Sequence, residues 1–399
     1  MLILAYNLIV ATWSTKLRFG YFRLCRTATH RSCRDPYDVD TATGSALAEG
    51  PYVAETVAAR REGLRGDQRL SGPDYPPACL PLCTAPCLDL EMTQTPYPRD
   101  MIGYGRNPPD PKWPGGALVA LNLVLNYEEG GESSVLHGDP GSVAFLTEHI
   151  TASVPHRAPT AESLWEYGSR VGFWRLWRLL SQRGLPVTAF AVTMAMQRNP
   201  EAVAAMVEVR WEIATHGMRW NINPPDSEDG ERAEIAATLA LHEQITGQKA
   251  LGWYNRSTAR TYRLLSEHGG LLYFADNYAD DLPFWADVAG KPELFVPYTL
   301  EANDMRFAVS NNFPSSDEFF AYLRDTFDVL YQDGLEGRPR VMSVGLHGRL
   351  AGRPGRTAGL IRFLDHVARH DRVWVATRAD IARHWRANFP PGENLVQRW

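Results

Sequence analysis

Three carboxylates crowd one short stretch of this chain: Asn126-Tyr127-Glu128-Glu129-Gly130-Gly131-Glu132. Like charges this close repel, so at least one pKa should rise unless a cation or donor intervenes. A glutamate raised in this way can act as a general base on water. The two glycines let backbone approach closely. The alternative reading of the stretch is a solvated acidic turn. Two histidines, His216 and His347, stand at similar points, each directly after an apolar run. A histidine facing the glutamates can protonate a leaving amine, and arginine or backbone N–H groups can stabilise an oxyanion. That set points to hydrolysis of a C–N bond at a carbonyl. No G-x-S-x-G and no G-x-x-x-x-G-K-[ST] occurs, which removes the nucleophilic-serine and phosphate-loop readings.

The elements that must hold these residues read as alternating strands and helices. Ala117 to Leu125 is an apolar run broken only by Asn122, the pattern of a buried strand. Further strands are expected at 187–192, 211–215, 251–254, 271–275, 341–346 and 373–376. Asn199-Pro200 opens a helix, Asp226 and Ser227 cap another that stops at Gly247, and Ser315-x-x-Glu318 is a capping box. Helices are also expected at 257–268 and 357–370. About seven strand–helix repeats predict one parallel β/α barrel, regular or distorted. A doubly wound sheet is the alternative, but no G-x-G-x-x-G follows the first strand. Chemistry in such a barrel sits at the C-terminal strand ends. There the chain offers Glu128, Glu129 and Glu132; His216, Arg219 and Trp220; Asn255 and Arg256; Asp276; His347 and Arg349; and Arg378.

Composition narrows the field. The 399 residues are 44% hydrophobic and 22% charged, with a net charge of −5. This is an ordinary globular profile with no basic surplus for nucleic acid or an anionic membrane. No apolar run approaches the ~18 residues of a membrane span. All five cysteines fall between Cys25 and Cys87, so the main body has no thiolate nucleophile or ligand. Cys79-x3-Cys83-x3-Cys87 lies among prolines and lacks the second half of a metal site. Residues 1–91 read as a poorly structured extension. They are disordered, or lie upstream of a natural start at Met92, with a targeting segment as the third reading. The main body is expected over residues 92–399.

Several stretches together resemble the polysaccharide deacetylase superfamily (the NodB homology domain), and within it the branch of allantoinases and cyclic-imide hydrolases. They are Tyr97–Arg106, Leu125–Glu132, Glu166–Arg170, Glu212–Gly217, Asp280–Trp285, Asn303–Phe307 and His347–Arg356. The resemblance implies a distorted, TIM-like β/α barrel that hydrolyses amide-type C–N bonds. By position, Glu128 takes the place of the general base and His347 that of the general acid. Glu129 and His216 match ligands of the metal in true deacetylases. At the place of the second metal histidine stands Trp220, which binds no metal. The resemblance therefore implies no obligatory cofactor; zinc, if bound, would rest on Glu129 and His216 alone. Glu129, Glu132, His216, Trp220, Tyr254, Arg256 and Arg353 are expected around the substrate. Arg353 and Arg356 either bind a substrate anion or cap the barrel rim, and Asn303, Asp304 and Arg306 read first as a loop ion pair. Asn255-Arg256-Ser257 and Tyr273–Asp276 depart from the branch's usual sequence, which leaves allantoin in doubt. The expected protein is a cytoplasmic homo-oligomer that opens a small cyclic amide, imide or ureide. The alternatives are N-deacetylation of a polysaccharide and ligand binding without turnover.

Overall fold

A computed structural model describes residues 97, 99–149, 152–220, 223–309, 312–392 and 395, all within one compact unit, Leu90–Trp399. The expectations for residues 1–91, the cysteine cluster included, lie outside these residues.

In chain order the strands are β1 (Val119–Tyr127), β2 (Thr188–Ala191), β3 (Glu212–Thr215), β4 (Gly252–Trp253), β5 (Tyr273–Phe274), β6 (Phe284–Val288), β7 (Lys291–Phe295), β8 (Arg340–His347) and β9 (Val373–Val375). Helices α1 (Pro159–Tyr167) and α2 (Phe173–Gln182) precede β2, and α3 (Thr193–Arg198) and α4 (Pro200–Glu208) follow it. Then come α5 (Glu228–Thr246), α6 (Ala259–His268), α7 (Ser316–Leu335), α8 (Pro354–Val367) and α9 (Arg378–Asn388). The expected caps form. Asn199 accepts from Ala202 N and Ser227 from Gly230 N, Ser315 accepts from Glu318 N as the serine half of the expected box, and Gly247 ends α5 in the left-handed region at φ 71°.

The sheet runs β6-β7-β5-β4-β3-β2-β1-β8, with β9 beside the first half of β1. The expected parallel β/α barrel, regular or distorted, takes the form of a curled mixed sheet, a half-barrel with helices outside. The element missed in the sequence is the antiparallel hairpin β6–β7. Its turn, Ala289-Gly290, has φ of 52° and 81°. Two-residue hairpins need positive φ at both positions, and glycine supplies only one without strain. Alanine there, and Pro292 inside β7, hide the hairpin from a sequence reading.

All nine residues of β1 are buried. Odd-numbered side chains such as Leu121, Leu123 and Leu125 pack under the helices, while Ala120 and Val124 face the sheet's inner side. Asn122 and Asn126, at the same period, are satisfied by Ala376 O at 2.9 Å and the Tyr298 hydroxyl at 2.9 Å. Arg378 belongs to this interior rather than to the site expected for it. It is fully buried at the start of α9 and donates to Asn122, Ser343 and the carbonyls of Val296 and Pro297. It ties the β7 end to β1 and β8 across the concave face. No helix of the described residues is long and apolar enough to cross a membrane.

Candidate active site

The C-terminal ends of β1, β3 and β8 converge. Glu128 follows β1, His216 follows β3, and His347 ends β8 in register with Asn126. Glu128 Oε1 lies 3.3 Å from His216 Nε2 and 3.4 Å from His347 Nε2. The far nitrogen of His347, Nδ1, donates to Asp304 Oδ1 at 2.6 Å. Asp304 also accepts the backbone N–H of His347 at 2.7 Å and of Ala351 at 2.8 Å. A carboxylate with these partners fixes the ring and its tautomer. Asp304, completely buried, is therefore a site residue and not the loop ion pair expected of it.

A second unexpected member is Arg349. Its guanidinium lies 2.7 Å from Glu128 Oε2 and 3.5 Å from Glu129 Oε1, and its Nε donates to Leu146 O at 3.0 Å. The terminal nitrogens meet the carboxylates as an ion pair, without aligned N–H···O bonds. The same group stacks 3.9 Å over Trp165 and 5.3 Å from Trp220. Both arginine and carboxylates are out of water here, so each charge depends on the other. Trp220 in turn packs edge-on against Trp165 and is stacked on Phe145.

These partners decide the protonation states. Burial pushes the Glu128 carboxyl up, but Arg349, His347 and His216 outweigh burial and hold it well below the usual range. Burial pulls His347 down, yet the Glu128 and Asp304 carboxylates override it and raise the imidazole to about 9. Glu129 goes the other way: burial and the Glu128 charge leave its pKa raised although Arg349 pulls it down. The expected raised base is thus corrected. Of the two neighbours the carboxyl pushed up is Glu129, because Arg349 and both histidines face Glu128.

A stability prediction follows from His347. Its folded pKa of about 9 exceeds the unfolded value of 6.5, so the folded state binds the extra proton between them. The contribution is full below 6.5 and lost as pH rises through 9. Urea unfolding should show stability falling from pH 7 to 9.5, and the fall should be smaller in His347→Gln. Equal slopes in the two proteins would contradict the assignment.

Glu129 fits where it does because Gly168 leaves room. A Cβ at Gly168 would stand 2.3 Å from Glu129 Oε1. Gly168 begins the π-helical turn Gly168–Gly172 that joins α1 to α2. Gly172, at its other end, abuts the backbone of Gly348, where a Cβ would meet the carbonyl oxygen. Two side-chain-free contacts thus seat this helix pair on the ends of β1 and β8.

The remaining expected residues divide. Tyr254 stacks on Phe190 with ring centroids 4.6 Å apart, lies 4.8 Å from the His216 ring, and pairs its hydroxyl with Tyr278 at 3.1 Å. Glu132 caps its own turn by accepting Gly130 N at 2.6 Å. Arg256 is exposed on the loop after β4, and no hydrogen bond or ion pair joins it to the cluster. Arg353 lies 3.7 Å over Tyr167 and 3.6 Å from Glu148, which also pairs with Arg356 at 2.9 Å. Both arginines thus cap the rim. In the departing loop, Asp276 accepts Asn255 N at 2.8 Å and the Ser257 hydroxyl, so it shapes that turn. A cavity of about 1300 Å³ is lined by Arg99–Pro109, Tyr278 and Trp385 and does not include Glu128, His216 or His347.

The donor set argues against a three-ligand zinc at this centre. Glu129 Oε1 accepts Arg349 N at 3.1 Å, its Oε2 faces Glu128 N at 3.3 Å, and the third ligand's place holds the Trp220 indole. Arg349 already supplies the positive charge between the carboxylates.

A polysaccharide deacetylase family model matches residues 154–268. A Schizosaccharomyces pombe protein that carries a polysaccharide deacetylase name is 41% identical over 315 residues, spanning 73% of this chain and 98% of that one. A crystal structure from Pseudomonas aeruginosa PAO1, also named for a polysaccharide deacetylase, is 50% identical with a TM-score of 0.72 and covers 74% of this chain and all of that one. The crystal structure of Puue allantoinase is 48% identical with a TM-score of 0.73, covering 75% of this chain and all of the other. The chain belongs to the polysaccharide deacetylase family, a family of hydrolases acting on C–N bonds. The family is generally metal-dependent. Among the described residues a cluster with metal-binding spacing, Asp328, His366 and His370, lies apart from this centre.

Proposed function

We propose that the protein opens a small cyclic amide, imide or ureide by hydrolysis without a catalytic metal. The observation that carries this reading is Arg349, a buried cation seated between Glu128 and Glu129. Identity of 48% to the allantoinase-named structure supports it. Glu128, held ionised, takes the proton of the attacking water. A carboxylate held this low is a weak base, so the step leans on the acid partner. His347, protonated at neutral pH and oriented by Asp304, delivers a proton to the departing nitrogen. His216 fixes the Glu128 carboxylate, and Tyr254 and Trp220 bound the substrate. The alternative, N-deacetylation of a sugar polymer, is favoured by the names of two relatives. It requires a metal and an open groove, whereas Glu128 and His347 are each less than 5% exposed.

One screen separates the two. The full chain is offered hydantoin, succinimide, allantoin and N-acetyl chito-oligomers, with and without chelator. Ring opening that persists in chelator is expected. Acetate release that chelator abolishes would replace this reading with the deacetylase one.

A further inference from the structure

We infer that Asp328, His366 and His370 form a surface binding site for a borderline divalent transition metal, such as zinc, that clips α7 to α8. Asp328 lies on α7, His366 in the last turn of α8, and His370 three residues beyond that helix. One ligand atom from each lies within 4.8 Å of the other two. His370 Nδ1 donates to His366 O at 3.1 Å. The acceptor is a carbonyl, so the proton sits on Nδ1 and the lone pair on Nε2. That Nε2 accepts no hydrogen bond among the described residues. A ligating histidine characteristically gives its other N–H to a backbone carbonyl in this way. His366 Nε2 meets Asp328 Oδ1 at 2.7 Å, holding the carboxylate at the same spot.

The rings are held by packing. Phe327, fully buried, meets His366 edge-on at 5.8 Å and His370 at 5.0 Å, and Tyr331 meets His370 at 4.9 Å. The two imidazole rings stand 4.9 Å apart. Solvent reaches the cluster, since the Asp328 and His366 side chains are 46% and 20% exposed. Two ligands bound at about 2.1 Å can be at most about 4.2 Å apart. The ligand atoms, all within 4.8 Å of one another, reach that limit by small side-chain rotations. Two imidazoles and one carboxylate select zinc, nickel, cobalt or copper over magnesium and calcium. Binding replaces the proton shared by His366 and Asp328 with the metal and releases that proton to solvent. The centre at Glu128 shares no residue with this one. Zinc found in the purified protein would therefore say nothing about a catalytic metal.

Zinc titration of the full chain at pH 7.5 by calorimetry tests the site against the His366→Ala/His370→Gln double variant. The wild type should bind one zinc more than the double variant. Asp328→Asn, on an exposed carboxylate, should keep the fold and weaken that site about tenfold or more. Cobalt should give the wild type a visible absorption band that the double variant lacks. The cysteines of residues 25–87 are common to all three proteins and cancel in the comparison. Equal zinc stoichiometry and affinity in wild type, Asp328→Asn and the double variant would overturn the inference.

Discussion

Glu128→Gln should lower kcat/KM at least about 10³-fold, because it removes the group that takes the proton from water. The same change acts on its neighbours. Glu128 is the leading cause that raises His347, so without its charge the imidazole should titrate well below about 9. It also takes away the nearer of the two carboxylates that balance Arg349. The isosteric amide keeps the volume, and Glu129 keeps part of the pairing. The expected loss of stability is about 3 kcal/mol, at the lower end for a broken buried pair. Turnover is therefore measured at low temperature on protein shown folded by circular dichroism, with His347 followed by NMR titration. A folded variant that keeps a tenth of wild-type activity would remove Glu128 from the base role. An unmoved His347 would deny the pairing itself.

How much of this was legible in the sequence depends on what each residue answers to. Glu128, His216 and His347 were visible because each follows an apolar run, and a strand's period fixes where its last side chain points. Caps at Asn199, Ser227 and Ser315 were visible because they answer to local backbone donors. Arg349 was seen only as one more polar residue two positions past His347. Its partners lie 220 and 221 residues away in sequence, and no local pattern encodes a buried pair of that reach. Asp304 sits in a loop of polar residues, where a solvated ion pair is the commoner outcome. Only the register that sets Asn303 beside Gly345 carries it to His347. Arg378 was misplaced for a related reason. It follows a real strand, but β9 pairs with the first half of β1, so the strand's end lies deep in the sheet rather than at the rim. The fold class was right about alternation and wrong about an all-parallel sheet, since β6–β7 breaks the parallel order with a turn that alanine disguises.

Arg349→Met should cost about 3–5 kcal/mol at pH 7.5, the range for stripping one partner from a buried ion pair. Methionine keeps the length of the stem and its contact with Trp165 and Trp220, so the loss is chiefly one of charge. Glu128 and Glu129 then face each other with His347 as the remaining cation. Glu129, already raised, should rise further. An acid whose folded pKa lies above its unfolded value destabilises as pH climbs through the folded value. The variant should therefore recover part of its deficit on moving from pH 7.5 to about 5.5, and Glu129→Gln in the same chain should recover it at pH 7.5. Urea unfolding of the four proteins in this cycle reads both effects. Additive losses would mean that Arg349 is not the counter-charge of the pair. Zinc supplies the sharper contrast. If Arg349 does at this centre what a metal does in other members of the family, removing it opens a place for a cation between the two carboxylates. Zinc should then restore stability to Arg349→Met carrying the His366→Ala/His370→Gln changes and leave the same chain with Arg349 intact unmoved. Stabilisation of the arginine-bearing protein instead would mean that the centre takes a metal alongside Arg349, and hydrolysis without a catalytic metal would no longer stand.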